Sequence, residues 1–277
     1  MVHYQQLKWI ELTSSFFQFQ DRHDLSVLEI GSYNVNGTVR EFFPDTNYIG
    51  VDLIEGAGVD VVGDGHTINM GEDHFDVTLS CESFEHNPYW QETFENMHRM
   101  TKPAGFVIFT CASKGRVEHG TNRTDLKDSP GSNHLNWDYY NNLTETDFQT
   151  LSLTEMFAQH AFFYNKHSRD LYFVGQKNDR DSSKTIKWSR SDLMLHTQAA
   201  FSPTPRSNLE NLFRSVTDLP INIAGHILPD AAFQNLAVPY SNLRRRVAEA
   251  IINKRQKRRS NDTSTSDNPS MEHKTLG

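Results

Sequence analysis

The chain has 277 residues, room for one large domain or one domain with appendages. A 36% hydrophobic share that includes 18 Phe supports a core, and two cysteines, Cys81 and Cys111, exclude a disulfide scaffold. No stretch approaches the roughly 18 consecutive apolar residues of a membrane-spanning helix, and a net charge of −8 argues against a chain that coats nucleic acid along its whole length.

The charge is uneven. Between Arg244 and Arg259 there are eight cations and one acid, so the rest of the chain is strongly acidic. An acidic body with a separately behaving basic segment is expected. The start, Met1-Val2-His3-Tyr4, lacks a basic region followed by an apolar run, so no signal peptide is expected there. With so few cysteines, a reducing compartment such as the cytoplasm is the expected setting.

Residues 1–24 form a helical lead-in. Ser26–Ile30 reads as a buried strand that stops at Gly31, followed by a helical stretch over Thr38–Phe43 ended by Pro44. Tyr48–Asp52, Val59–Val62 and Phe75–Ser80 are further strands. Tyr89–Met100 spaces Trp90, Phe94, Met97 and Met100 as a helix does. The turn Lys102–Gly105 leads into a fifth strand, Phe106–Thr110. Gly115–Asn142 is a long polar loop, a length usually functional or mobile. Thr144–Phe148 has the look of a capped helix start. Ala161–Tyr164 and Leu171–Val174 flank a polar turn and form an antiparallel hairpin. Strands alternating with helical patterns give an α/β fold, a doubly wound and mainly parallel sheet closed by that hairpin. The domain spans residues 25–177. An extension over 178–259 follows: a polar linker (Asn178–Lys187), helices over Ser207–Val216 and Ser241–Lys257, and proline-marked turns at Pro220, Pro229 and Pro239. Residues 260–277 are Ser/Thr/Asn/Asp-rich, the composition of a disordered tail.

The most informative stretch is Val27-Leu28-Glu29-Ile30-Gly31-Ser32-Tyr33-Asn34-Val35-Asn36-Gly37-Thr38, where a strand runs through glycine into a polar loop. In open α/β sheets, ligands bind beyond the carboxyl ends of the strands. A dinucleotide site wants Gly-x-Gly-x-x-Gly, but Tyr33 occupies the second glycine's place and would meet a pyrophosphate. That disfavours an NAD-dependent oxidoreductase. A phosphate-free nucleoside such as S-adenosylmethionine has no such need. Glu29, at the strand's end, can hold its ammonium. Asp52, 21 residues after Gly31, can accept from both ribose hydroxyls, and Asp64, in Gly63-Asp64-Gly65, from the adenine amino group. Each acid alone is an ordinary turn or strand-end residue; three at successive strand ends point to one ligand.

On these residues the chain resembles the class I (Rossmann-like) S-adenosylmethionine-dependent methyltransferases over about Ser26–Gln176. Leu28-Glu29-Ile30-Gly31 resembles the family's first motif, Asp52 its ribose acid, and Gly63-Asp64-Gly65 its adenine loop. Phe75–His86 resembles the fourth-strand motif with its Glu-His pair, and Met100–Gly105 the turn before the fifth strand. Tyr33 is the departure. The resemblance implies S-adenosylmethionine as cofactor, bordered by Glu29, Gly31, Ser32, Tyr33, Gly37, Asp52, Leu53, Asp64, Gly65, Cys81 and Glu82. It also implies that the final hairpin contains the family's reversed strand.

Methyl transfer is an in-line displacement, to which a protein contributes alignment and water exclusion. An alcohol acceptor also needs its proton removed. His119, just beyond the fifth strand, is the candidate base, against the plain alternative of a loop histidine among 13 in the chain. His86 faces either the cofactor or the substrate mouth, or caps the next helix. Arg116 and Arg123 can hold an anionic acceptor, and Trp137, Tyr139 and Tyr140 can wall a ring. No His-x-x-x-His pair or Cys-x-x-Cys marks a metal, so none is expected. The reading is O-methylation of a small molecule, a saccharide or glycan precursor. The alternatives are an RNA or protein methyltransferase guided by the basic 244–259 segment, which also suits an anionic surface, or a cofactor-binding module without turnover.

Overall fold

The computed structural model describes residues 3–203 and 219–264, with the side chains of the last helix described as far as residue 247. Seven strands form one sheet: β1 (Ser26–Ile30), β2 (Asn47–Asp52), β3 (Val61–Val62), β4 (Phe75–Cys81), β5 (Thr101–Ala112), β6 (Phe157–Asn165) and β7 (Asp170–Lys177). Their order is β3-β2-β1-β4-β5-β7-β6. The first five are parallel, and β7 runs antiparallel to both β5 and β6. This is the expected doubly wound sheet with a closing hairpin. From β1 the chain moves outward to β2 and β3, then returns to β4 on β1's other side. A crevice therefore opens beyond the carboxyl ends of β1 and β4, where the winding reverses.

Alternation along each strand sorts the core onto two faces. Val27, Val77, Leu79, Ile108, Tyr172 and Val174 face one layer, where α1 (Tyr4–Phe16) supplies Trp9 and Ile10 and α5 (Arg190–Thr197) supplies Leu193. Trp9 stacks on Tyr172 with ring centroids 4.9 Å apart. Leu28, Ile30, Val107, Phe109 and Phe173 face the other, under Phe94, Met97 and Met100 of α2 (Trp90–Met100) and Phe148. Each of these buried side chains contributes roughly 1.5–3 kcal/mol by leaving water.

The helix expected over Thr38–Phe43 is only a 3₁₀ turn, Arg40–Phe42. The layer over β1 is filled by α1 and α5 together with Val39 and Phe43 of the crossover. Ser14 of α1 donates to the Phe42 carbonyl at 2.8 Å, which ties the lead-in to that short turn. β5 already begins at Thr101, paired with Phe75, and takes the expected turn as a kink at Ala104, whose φ is +62°. Thr144 caps a 3₁₀ helix, Glu145–Thr150, through a reciprocal pair with Asp147.

Two short helices, α3 (Pro130–His134) and α4 (Leu153–Met156), interrupt the long connection between β5 and β6. Beyond the sheet, α6 (Leu219–Ile227) and α7 (Asp230–Ser264) form the extension. Of the three prolines expected at turns, only Pro229 separates helices. Pro220 lies in the first turn of α6, where a missing N–H costs nothing, and Pro239 lies inside α7. The helix α7 continues to Ser264, past the Ser260 at which a disordered tail was expected. The expected helix Ser207–Val216 lies outside the described residues. Among the described residues no helix is long and apolar enough to cross a membrane. Both cysteines are buried and unpaired.

Candidate functional site

A cavity of about 720 Å³, its open mouth included, lies in the crevice at the ends of β1, β2 and β4. Ile30, Gly31 and Tyr33 line it from the β1 loop, Asp52 and Leu53 from β2, and Asp64 and Gly65 from the β3 loop. Cys81, Glu82, Ser83 and His86 line it from the end of β4, and Asp128–Ser132 with Trp137 lie across it. The β1 turn depends on glycine. Gly31 has a φ of +84°, and a Cβ there would come 2.7 Å from the Ser83 Cβ, so only glycine lets the β1 and β4 loops pack together.

Asp52 is anchored but not consumed. Its Oδ2 accepts from the Tyr33 amide at 2.9 Å and its Oδ1 from the Leu53 amide at 2.7 Å, leaving lone pairs toward the cavity. Burial raises its carboxyl above the ordinary value, against these backbone donors. Asp64 accepts from its neighbour His66, whose ring lies 2.6 Å away and stacks on Tyr89. Tyr89 in turn meets Trp137 edge-on. An acid and aromatic rings thus border the cavity's outer end.

Three residues expected at the cofactor lie off the cavity wall. Glu29 alternates with Leu28 and Ile30, so it points into the α1 layer, where the Tyr48 hydroxyl donates to its Oε2 at 2.8 Å. Burial pushes Glu29 up to about 7. Ser32 packs beneath the loop, against Gly50 and Gly58, and Gly37 lies against Leu7 of α1. The other expected cofactor residues, Gly31, Tyr33, Asp52, Leu53, Asp64, Gly65, Cys81 and Glu82, all line the cavity.

Glu82 has a φ of +52°, an unusual state for a side-chain-bearing residue and one that clusters at functional sites. Its carboxylate turns to Gln6 of α1, whose amide donates to it, and to Arg116 at 3.5 Å. Burial alone would raise Glu82, but Arg116 holds it below its ordinary value. Arg116 also meets Asp170 at 3.3 Å and donates to the Ser168 carbonyl at 2.8 Å, and His3 meets Asp170 at 2.9 Å. Arg116 is therefore engaged internally rather than turned to an acceptor. Arg123 is likewise committed, to Glu118 at 2.8 Å. His3 and Gln6 escaped the sequence reading because nothing in the first residues signals that α1 begins under the site.

Past β4, Glu85 and His86 sit on a 3₁₀ turn, Phe84–His86, and His119 reaches the same place from the loop after β5. The His86 and His119 rings meet edge-on at 4.9 Å, and Tyr140 packs against both. His86 lines the cavity; His119 stands behind it. Burial keeps both imidazoles neutral: His86 falls to about 3, and His119 well below its ordinary value. Burial also lifts Glu85 well above the ordinary carboxyl range, with the nearby Glu82 charge adding to it.

The extension braces this side. Gln234 of α7 accepts from the Glu118 amide at 2.9 Å and donates to the Arg116 carbonyl at 2.8 Å, and Asn142 donates to Asp230. Arg245, in the basic segment, pairs with Asp125 at 3.0 Å, while the segment's side chains beyond residue 247 lie outside the described residues.

Residues 36–109 match the family model of a methyltransferase domain. No curated protein matches the chain. Among solved structures, the chain is similar to the 1,6-didemethyltoxoflavin-N1-methyltransferase of Burkholderia thailandensis, solved with 1,6-didemethyltoxoflavin and S-adenosylhomocysteine. The identity is 15% and the TM-score 0.42, over 61% of this chain and 79% of that one. It is similar to the N-methyltransferase NodS of Bradyrhizobium japonicum, solved with S-adenosylhomocysteine, at 15% identity and a TM-score of 0.40, over 63% and 85%. An S-adenosylmethionine-dependent methyltransferase of Mesorhizobium loti shares 13% identity at a TM-score of 0.42, over 62% and 98%.

Proposed function

We propose that this class I S-adenosylmethionine-dependent methyltransferase transfers its methyl group to a hydroxyl oxygen of a small polar acceptor, of the saccharide class. The observation that carries the cofactor placement is that the carboxylates of Asp52 and Asp64 border one cavity beyond the sheet's winding reversal. In this reading Asp52 accepts from the ribose hydroxyls and Asp64 from the adenine amino group. The cofactor's methionine end then runs toward Gly31 and the β4 loop, which brings the sulfonium near His86.

The reacting methyl needs alignment and dryness more than activation, because the sulfonium is already a good leaving group. The segment Asp128–Ser132 with Trp137 lines the cavity, where a bound donor and acceptor would displace water. The acceptor's oxygen attacks opposite the sulfur. Its bond to the methyl carbon forms as the carbon–sulfur bond breaks, and that electron pair returns to sulfur.

An oxygen acceptor is favoured by what lies next to the cavity. An alcohol must lose a proton as the methyl arrives, and the polar cluster nearest the acceptor's approach is His86 on the cavity wall with Glu85 and His119 gathered behind it. Incubating the full chain with methyl-labelled S-adenosylmethionine and a panel of sugars, sugar nucleotides and small amines tests the reading. Label in an ether of a hydroxylated acceptor is the expected outcome; label only on nitrogen, or on RNA or protein, would overturn it.

A further inference from the structure

We propose that Glu85, His86 and His119 bind one divalent metal cation, of the class served jointly by imidazole and carboxylate (Mn²⁺, Fe²⁺, Zn²⁺), beside the methyl donor. Its role, to hold the acceptor's oxygen, rests on the methyl-transfer reading; the binding itself does not.

The three side chains each bring one ligand atom within 4.8 Å of the other two. Ligands about 2.1 Å from a shared ion stand roughly 3–4 Å apart, so only a small contraction is needed. Glu85 is wholly buried and His86 is 3% exposed. Neither oxygen of Glu85, neither ring nitrogen of His86, nor the Nε2 of His119 has a hydrogen-bond partner among the described residues. Five polar atoms left unpartnered at one spot are costly, at roughly 1–3 kcal/mol each and more for an ionised carboxylate. One dication would engage an atom from each of the three side chains.

The surroundings favour a cation as well. His119 Nδ1 faces the Val117 carbonyl at 3.2 Å; donating there leaves Nε2 bare and directed inward, the arrangement by which a ligand imidazole is usually fixed. Glu82 Oε2 lies 4.0 Å from that same Nε2, so a second carboxylate borders the place. The neighbouring group of His3, Glu82 and Asp170 is different in kind, because Arg116 already stands among its carboxylates. Two imidazoles with a carboxylate suit a first-row transition metal better than the all-oxygen set that Mg²⁺ or Ca²⁺ prefers.

His86 faces the cofactor cavity, so a cation here would sit where the acceptor approaches. A bound hydroxyl would release its proton to solvent more readily. The resulting alkoxide oxygen bonds the methyl carbon as the carbon–sulfur pair returns to sulfur, leaving S-adenosylhomocysteine and the methyl ether. Glu85 and His86 are adjacent, but His119 joins them only because β4 and β5 are neighbouring parallel strands, which no local spacing marks.

The test is a Mn²⁺ titration of the chelator-treated full chain, followed by calorimetry and by loss of the free-ion electron spin resonance signal, then repeated with Zn²⁺. One ion per chain is expected. Glu85→Gln and His119→Asn should each weaken uptake more than about tenfold, while S-adenosylhomocysteine affinity, which reports an intact fold, changes less than about twofold. No uptake of either ion by the wild-type chain, or uptake unchanged in both variants, overturns the site whatever the variants' stability. Failure of the wild-type chain to bind S-adenosylhomocysteine would instead sink the methyl-transfer reading, with Mn²⁺ uptake still deciding the metal site.

Discussion

Glu29 gives a test of the interior that is independent of chemistry. It lies on β1, buried, with one hydrogen bond, from Tyr48. Desolvation raises it from 4.5 to about 7 against that hydrogen bond. The unfolded chain therefore releases this proton near its ordinary value, whereas the native chain keeps it until about pH 7. Between those values the native state binds more protons, so stability falls as pH rises through the window and levels off above it. The shift corresponds to about 3 kcal/mol at pH 8. Glu29→Gln removes the titration while its amide oxygen can still accept from Tyr48. Urea unfolding of both chains at pH 4, 5, 6, 7 and 8 should give near-equal stabilities at pH 4. The variant should then gain an increasing advantage, approaching 3 kcal/mol at pH 8. A difference that is constant with pH, or that grows toward acid, would mean that Glu29 is not the group held protonated in the native core.

Other perturbations act on the site's cover and brace. A Cβ on Gly131 would come 2.8 Å from Asp52 Oδ1, so Gly131→Ala should displace either the cover or the carboxylate and weaken S-adenosylhomocysteine binding several-fold in calorimetry, with little change in melting temperature. Gln234→Ala strands the buried Glu118 amide and should cost about 1–3 kcal/mol of stability in denaturant unfolding. The same variant should raise the acceptor KM more than the cofactor KM, because Gln234 braces the loop that carries His119 rather than the strand ends.

Much of the sheet is legible from local pattern. β1 follows the apolar run Ser26–Ile30 to the residue, and α2 follows the spacing of Phe94, Met97 and Met100, because burial on one face writes its period into the sequence. The cavity's lining is legible where a strand end dictates it, as at Gly31, Asp52 and Asp64. It is hidden where tertiary contact decides. Glu29 has the composition of a ligand residue, yet strand alternation turns it into the core. Much of the layer over β1 comes from α1 and α5, which lie outside the β1–β2 crossover, so the short Arg40–Phe42 turn could not be told from a helix start. Pro239 reads as a break but is tolerated within α7. The gathering of Glu85, His86 and His119 requires knowing that β4 and β5 are neighbours.

The most direct measurement is S-adenosylhomocysteine binding by calorimetry to the wild-type chain and to Asp52→Ala. On the proposed placement, removing the Asp52 carboxylate forfeits two charge-assisted hydrogen bonds from the ribose hydroxyls, at least about 3 kcal/mol together, so affinity should fall about 100-fold or more with the fold retained. Equal affinity in a folded Asp52→Ala chain would contradict the placement of the nucleoside across the strand ends.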